Sequence, residues 1–327
     1  MKYTKVILSG IWAFLLFNTD VLIAQTKVSP KNRHQGIYFP PGYTPPASRM
    51  ASILNWNMEN FVDGFDDPYI QNDREDNPPA EMRQKEALLI KVIKEQKPDI
   101  VVFQEFETAK YLRALALEHW ADIGYQFFAE APSINWFQNV VVMSRFPLGE
   151  MRAYGSIYTN VAGSVTRDNL PETQNLVNNR MWSIEVFPDP TFHFTLTAVH
   201  LKAGRTERDI AMRTGQIDFL KGQLRRKAKE DKELRYIIMG DFNLTPDSEE
   251  YAFLTRDKKN LKLYDMIGGP EILTHPVSSP TRRLDHTLVN SKMKPHVDKV
   301  EVKTDLMRKE ELELMSDHLP IWIRLKW

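Results

Sequence analysis

Tyr236-Ile237-Ile238-Met239-Gly240-Asp241-Phe242-Asn243-Leu244-Thr245-Pro246-Asp247-Ser248 is the stretch on which the fold turns. Its first four residues are apolar, enough for a short buried strand. The run breaks at Gly240 and enters a polar turn held by Pro246. Asp241 and Asn243 are therefore expected at the carboxyl end of a strand, where open α/β sheets place their ligands. Spaced i, i+2, the two side chains share a face of an extended chain. Asp241 is an acceptor that carries charge, and Asn243 offers a donor and an acceptor. The pair suits the holding of a water or a phosphate oxygen. Alone, a Gly-Asp before a turn is more often a capped turn, so the weight rests on the remaining chain.

The pattern repeats outward. Ala51–Asn57 reads as a strand whose end carries Asn57 and Glu59. Pro78 and Pro79 lead into a helix with Met82, Leu89, Val92 and Ile93 at roughly helical spacing, stopped by Pro98. Asp99–Glu105 follows as a strand buried on both sides and ending in Glu105. A second helix spans Thr108–Trp120, and Tyr125–Ala129 and Asn139–Ser144 are two more strands. Arg180–Phe187 and Phe192–His200 come next, the second ending in His200. Residues 206–229 form a basic amphipathic helix whose Arg225-Arg226-Lys227 run reads as a solvated end. Leu284–Val289, residues 296–304 and Ile321–Lys326 complete the strands. This alternation predicts an α/β layer protein. Residues 155–179 read as a long polar loop rimming a site. Residues 62–79, rich in Asp and Glu, read as a solvated loop; calcium binding is the alternative, against which Asp66-Asp67-Pro68 lacks the alternating EF-hand spacing.

Composition bounds the rest. Of 327 residues 42% are hydrophobic, which is ordinary for a globular chain with a sizeable core. Lys plus Arg and Asp plus Glu both total 43, so no overall basic footprint for nucleic acid exists. Residues 1–24 read as a signal peptide, with Lys2 and Lys5 before the apolar Ile11–Phe17 and Ala24 before the cut. Its removal leaves no transmembrane anchor and predicts a secreted or periplasmic protein. Residues 25–50 read as a proline-rich arm and 51–327 as one domain. The chain contains no cysteine, which excludes disulfides, a thiol nucleophile and a thiolate metal site.

Asn57, Glu105, His200, Asp241 with Asn243, and Asp285 thus stand at strand ends, with Asp317 and His318 in the turn entering the last strand. Burying that many carboxylates is costly unless they are paired or bind metal. The motifs are Asn-Trp-Asn at 55–57, Val-Phe-Gln-Glu at 102–105, Val-Met-Ser-Arg-Phe-Pro at 142–147 and Ala-Val-His-Leu-Lys at 198–202. Gly-Asp-Phe-Asn at 240–243, Arg-Arg-Leu-Asp-His at 282–286 and Ser-Asp-His-Leu-Pro at 316–320 complete them. In this order the set resembles the endonuclease/exonuclease/phosphatase superfamily over residues 51–326, in a secreted bacterial, deoxyribonuclease I-like form. The resemblance implies a four-layer sandwich of two mixed β-sheets flanked by α-helices. It implies that Glu105 binds metal with Asn57 and Asp317 beside it. It further implies that Asp241 and Asn243 orient the attacking water and the phosphate, and that Asp285 and His318 form a carboxylate–imidazole pair. His200 resembles the additional histidine of deoxyribonuclease-like members, and Arg180 stands at the place of a phosphate-contacting arginine. Whether His318 takes a proton from water or stabilises charge stays open, as does the number of metals. His193, His275 and His296 read as ordinary histidines, and His286, where the family often has an aromatic, is ambiguous between a site residue and a stacked ring.

Oxygen donors without a thiol favour Mg²⁺, with Mn²⁺ or Ca²⁺ as alternatives, over zinc. The expected function is divalent-metal-dependent hydrolysis of phosphate esters, as a phosphodiesterase or endonuclease acting on nucleic acid, with no stable protein partner implied. Net neutrality weakens a nuclease without excluding one. A lipid phosphodiesterase would show an apolar hairpin, and Ile134-Asn135-Trp136-Phe137 is the one candidate, although it reads better as strand-flanking core. A small-molecule phosphatase also fits. Calcineurin-like phosphoesterases need an early Asp-x-His and a Gly-Asn-His, which the sequence lacks. A catalytically inactive binding module is disfavoured because every expected catalytic position is kept.

Overall fold

Strands buried on both faces are written as unbroken apolar runs, and runs of this kind build two sheets. The computed structural model describes residues 39–133, 135–177, 179–257 and 261–327. Residues 1–24, read as a signal peptide, and most of the proline-rich arm lie outside them. Residues 40–327 make one compact unit.

Across the first sheet run β13 (Val297–Val302), β14 (Ile321–Lys326), β1 (Met50–Phe61), β2 (Ile100–Phe106), β4 (Asn139–Ser144) and β3 (Phe127–Glu130). Across the second run β11 (Tyr264–Asp265), β12 (Asp285–Val289), β10 (Tyr236–Asp241), β9 (Phe192–His200), β8 (Met181–Asp189) and β5 (Leu148–Arg152). Both sheets are mixed. Each has one parallel pair at its centre, β1 with β2 and β9 with β10, among antiparallel neighbours. A parallel pair needs a crossover, supplied by α2 (Met82–Gln96) and α4 (Glu207–Glu230).

Alternation of side chains sorts residues into layers. Ile53, Val102, Val142 and Ile323 of the first sheet meet Trp182, Leu196, Ile237 and Met239 of the second in the central core. Leu54, Val101 and Phe103 point the other way, onto Leu89 and Ile93 of α2, Leu112 of α3 (Ala109–His119) and Leu312 of α6 (Lys309–Met315). Val199, Ile238 and Leu288 pack on Ile217, Leu220 and Leu224 of α4 and on Leu254 of α5 (Glu249–Thr255). The result is helix, sheet, sheet, helix, the expected four-layer sandwich. Each fully buried aliphatic here contributes about 1.5–3 kcal/mol. Thr108 and Thr206 cap α3 and α4 through their hydroxyls, the second within a capping box.

Several expectations are corrected. The polar stretch 155–179 is an antiparallel hairpin, β6 (Tyr158–Val165) with β7 (Pro171–Leu176). It lies on α4, so closely that a side chain at Gly215 would strike the Asn160 carbonyl. Its few aliphatics hid it, because it packs backbone against helix. Lys227 is no solvated end: it is buried, its Nζ 3.4 Å from Thr195 Oγ1 and 4.0 Å from Glu185. The acidic loop contains a short helix, α1 (Asp73–Asp76), with Glu75 buried. No helix among the described residues is long and apolar enough to cross a membrane.

Candidate active site

The second sheet presents three candidate residues in one row. β10 pairs Asp241 with His200 of β9 on one side and with Asp285 of β12 on the other. The ladder stays regular to its last residue because Gly240, at φ 137°, lets the chain approach Val199. Asp241 is 1% exposed. It is not continued by an extended chain, as the i, i+2 spacing suggested. Asn243 adopts φ 54° and folds back. Its N–H donates to Asp241 Oδ1 at 2.8 Å, and its Nδ2 donates to Oδ2 and to the Leu201 carbonyl, both at 3.1 Å. Asn243 therefore holds Asp241 in a side-chain-to-backbone turn.

The first sheet delivers its residues irregularly. The ladder between β1 and β2 shifts register between Asn57 and Phe61, and Glu59, Asn60 and Glu105 have φ of 49°, 56° and 53°. Left-handed backbone at residues with side chains costs roughly 1–2 kcal/mol each and clusters at functional sites. In a regular strand Glu105 would face away from Gln104 and hence from Asn57. The distortion brings Asn57 Nδ2 within 3.2 Å of Glu105 Oε1. Lys85 reaches up from α2 to donate to the Met58 and Glu59 carbonyls, at 3.3 and 2.9 Å. Glu105 Oε2 accepts from Asn60 N–H at 3.2 Å and from Gln138 Nε2 at 2.8 Å.

The sheets meet at Asn57 and Asp241. Asn57 Nδ2 also donates to Asp241 Oδ2 at 3.1 Å. His200 Nε2 lies 3.5 Å from Glu105 and 3.7 Å from Asp241, while its buried Nδ1 has no hydrogen-bond partner. Burial depresses its pKa to about 4 against the pull of Asp241, which keeps the ring neutral. Burial likewise raises the Asp241 pKa, offset in part by His318.

The turn before β14 completes the cleft. Trp56 Nε1–H donates to the His318 carbonyl at 2.7 Å, and the Ser316 hydroxyl to the Asn57 carbonyl at 2.6 Å. These bonds tie the turn to β1. His318 Nδ1 is 2.8 Å from Asp285 Oδ2, and its Nε2 is 3.7 Å from Asp241. Burial alone would lower the His318 pKa. Asp285 and Asp241, then Asp317, outweigh it and raise the pKa to about 10.

Of the sequence-predicted residues, Asn57, Glu105, His200, Asp241, Asn243, Asp285 and His318 come together. Asp317 does so at one remove. Its carboxylate meets His275 Nε2 at 3.1 Å and His318 Nε2 at 3.8 Å, with Glu59 as a further acidic neighbour. Arg180 precedes β8, its carbonyl accepting from His200 N–H at 2.7 Å. Its side chain is half-buried; burial lowers its pKa and Glu105 pulls it back.

Sequence reasoning missed Gln138, Asn60 and Lys85, and it took His275 for an ordinary histidine. His275 instead bridges Asp317 and Arg282, with its ring edge-on to His318 at 4.8 Å. Trp136 is only partly core: it is 36% exposed and donates to Gln138, whereas Phe137 is buried. His286 does not stack on Phe242 but meets it edge-to-face, with an interplanar angle of 89°, and its ring nitrogens lie against Asp265 and the Leu244 carbonyl.

The profile of the Endonuclease/Exonuclease/phosphatase family matches residues 54–318. No curated protein sequence matches the chain. Among solved structures, truncated Caenorhabditis elegans TDP2 is similar with a TM-score of 0.56 at 16% identity, covering 85% of this chain and 98% of that one. D. rerio TDP2 complexed with single strand DNA product gives 0.53 at 15%, covering 85% and 99%. Bacteroides thetaiotaomicron mannosyl-6-phosphatase gives 0.51 at 15%, covering 85% and 100%. At these identities the likeness is one of fold.

Proposed function

The chain belongs to the Endonuclease/Exonuclease/phosphatase family and is a hydrolase of phosphate esters, and from that premise we propose that it cleaves phosphodiesters in nucleic acid by metal-dependent attack of water. One observation carries the reading. Buried Asp241 is bonded to Asn57 on one side and lies 3.7 Å from His318 on the other. An amide–carboxylate donor set thus faces a carboxylate–imidazole pair across a single carboxylate.

Glu105 is a hard oxygen donor whose chemistry fits a Mg²⁺-class cation, and Asn57, whose Nδ2 faces Glu105 while its Oδ1 accepts the Glu59 N–H, would add an oxygen by turning its amide over. Asp317 stands beside them. Such a cation, when bound, neutralises phosphate charge. Asp241, fixed by Asn243, accepts a hydrogen bond from the attacking water and orients it. Asp285 holds Nδ1 of His318, which leaves the protonated ring's Nε2–H toward Asp241 to give a proton or stabilise charge. His200, neutral, offers Nε2–H to a phosphoryl oxygen, and Arg180 adds positive charge beside Glu105. The exposed Trp136, tied through Gln138 to Glu105, offers a face on which a base can stack. The single-stranded DNA product of D. rerio TDP2 supports the substrate class. The fold likeness to a mannosyl-6-phosphatase supports a second reading, a small phosphomonoester.

A panel assayed with magnesium decides between them: single-stranded and duplex DNA, RNA, sphingomyelin, bis-p-nitrophenyl phosphate and the monoester. Turnover of nucleic acid and the diester above the monoester is expected. Turnover confined to the monoester or to sphingomyelin would refute the nucleic-acid reading. We also propose that the chain is exported from a bacterial cell, on the basis of residues 1–24. An intact Met1 on native cytoplasmic protein, found by mass spectrometry, would refute export.

A further inference from the structure

Away from the residues around Asp241, the segment between β1 and α2 gathers acids. Asp66, Glu75 and Asp76 each bring a carboxylate oxygen within 4.8 Å of the others. Glu75 is 1% exposed, under a thin cover of loop. Its Oε1 accepts the Asp67 N–H at 2.6 Å. Its Oε2 is shut off from solvent and has no hydrogen-bond donor among the described residues. The side chain it approaches is Asp76, and Asp66 is a further acidic neighbour. A buried carboxylate oxygen aimed at other carboxylates suffers desolvation and Coulomb repulsion together. A bound cation removes both costs.

We propose that Asp66, Glu75 and Asp76 form a calcium site, separate from the catalytic cleft. The donors are all oxygen, and they come from a loop and a single short turn of helix. Asp66 is exposed, which leaves places for water. Calcium accepts six to eight oxygens in irregular geometry, whereas magnesium demands a near-ideal octahedron. Calcium therefore suits this set and magnesium does not. The ion pins the segment that leaves β1 just beyond Asn57 and Asn60, and which carries the exposed Phe65 and Tyr69. Its role is to order this segment, not to take part in the reaction.

The test titrates CaCl₂ into the full chain under saturating MgCl₂, by calorimetry, with thermal melts alongside. A calcium isotherm and a rise in Tm are expected. Asp66→Asn lies on the surface and leaves the fold intact. Glu75→Gln keeps the acceptor for Asp67. Each should weaken calcium about 10-fold or more, because affinity follows ligand charge, and each should erase the Tm rise. Glu105→Gln should leave the calcium isotherm unchanged, which separates this site from the cleft. The proposal is overturned by the lack of a calcium isotherm under these conditions. It is equally overturned by an isotherm that survives Asp66→Asn and Glu75→Gln, or that Glu105→Gln abolishes.

Discussion

In both sheets a parallel pair of strands, joined by a crossover helix, runs its carboxyl ends into the cleft. The pair β9/β10 stays in register to the last rung, His200 opposite Asp241, with both side chains buried. The pair β1/β2 loses register at Asn57, holds three left-handed residues, and leaves Glu105 half-open to solvent. The same topology has therefore been finished in two ways. The regular end is a rigid anchor whose charges are set by burial. The distorted end stores backbone strain and leaves the Glu105 carboxylate partly open to solvent, as the proposed metal site requires.

The comparison breaks most severely at Gly240. Gly240→Ala places a Cβ against the Val199 carbonyl at a φ that L residues rarely adopt. Strain and overpacking together should cost ~3 kcal/mol or more. Thermal melts should then show a fall in Tm of about 6 °C or more, with activity lost.

Next comes the anchor's partner. His318→Ala should lower kcat ~100-fold or more with KM little changed and Tm nearly kept. Asp285→Asn should cost less, since the imidazole remains but its Nδ1 is no longer held. The double variant should be little worse than His318→Ala, and independent, multiplicative losses would count against the pair.

At the open end the effects should move to metal dependence. Chelation with EDTA should abolish activity and magnesium restore it. Glu105→Gln should raise the magnesium needed for half-maximal rate at least ~10-fold, a shift that Asp285→Asn should not produce. Full activity of Glu105→Gln at limiting magnesium would remove Glu105 from the metal site.

The smallest effect is expected at Gln138, which only steadies Glu105 Oε2. Gln138→Ala should raise the same magnesium requirement by no more than ~10-fold. A loss as large as that of Glu105→Gln would mean that Gln138 touches metal or substrate directly.

What the sequence determined by itself was everything that repeats locally. Asn139–Ser144, Phe192–His200 and Ile321–Lys326 appear as strands at the bounds their apolar runs predict. Thr108 and Thr206 mark helix starts because a hydroxyl near the first N–H groups is a local device. Segments that pack through backbone or few aliphatics escaped, as β6 with β7 and the helix Lys309–Met315 did. The order of motifs indicated which acids and histidines lie at strand ends. It could not indicate which of them meet. His275 and Asp317 stand 42 positions apart, and Gln138 and Glu105 stand 33 apart. No periodicity links such residues: Gln138 reaches Glu105 only once β4 pairs with β2 across an irregular ladder, and His275 meets Asp317 only when the turn before β14 packs against the loop before β12. Burial depresses the pKa of His200 against the pull of Asp241, whereas Asp285 and Asp241 raise that of His318 against burial, and both environments exist only once the sheets have closed on one another.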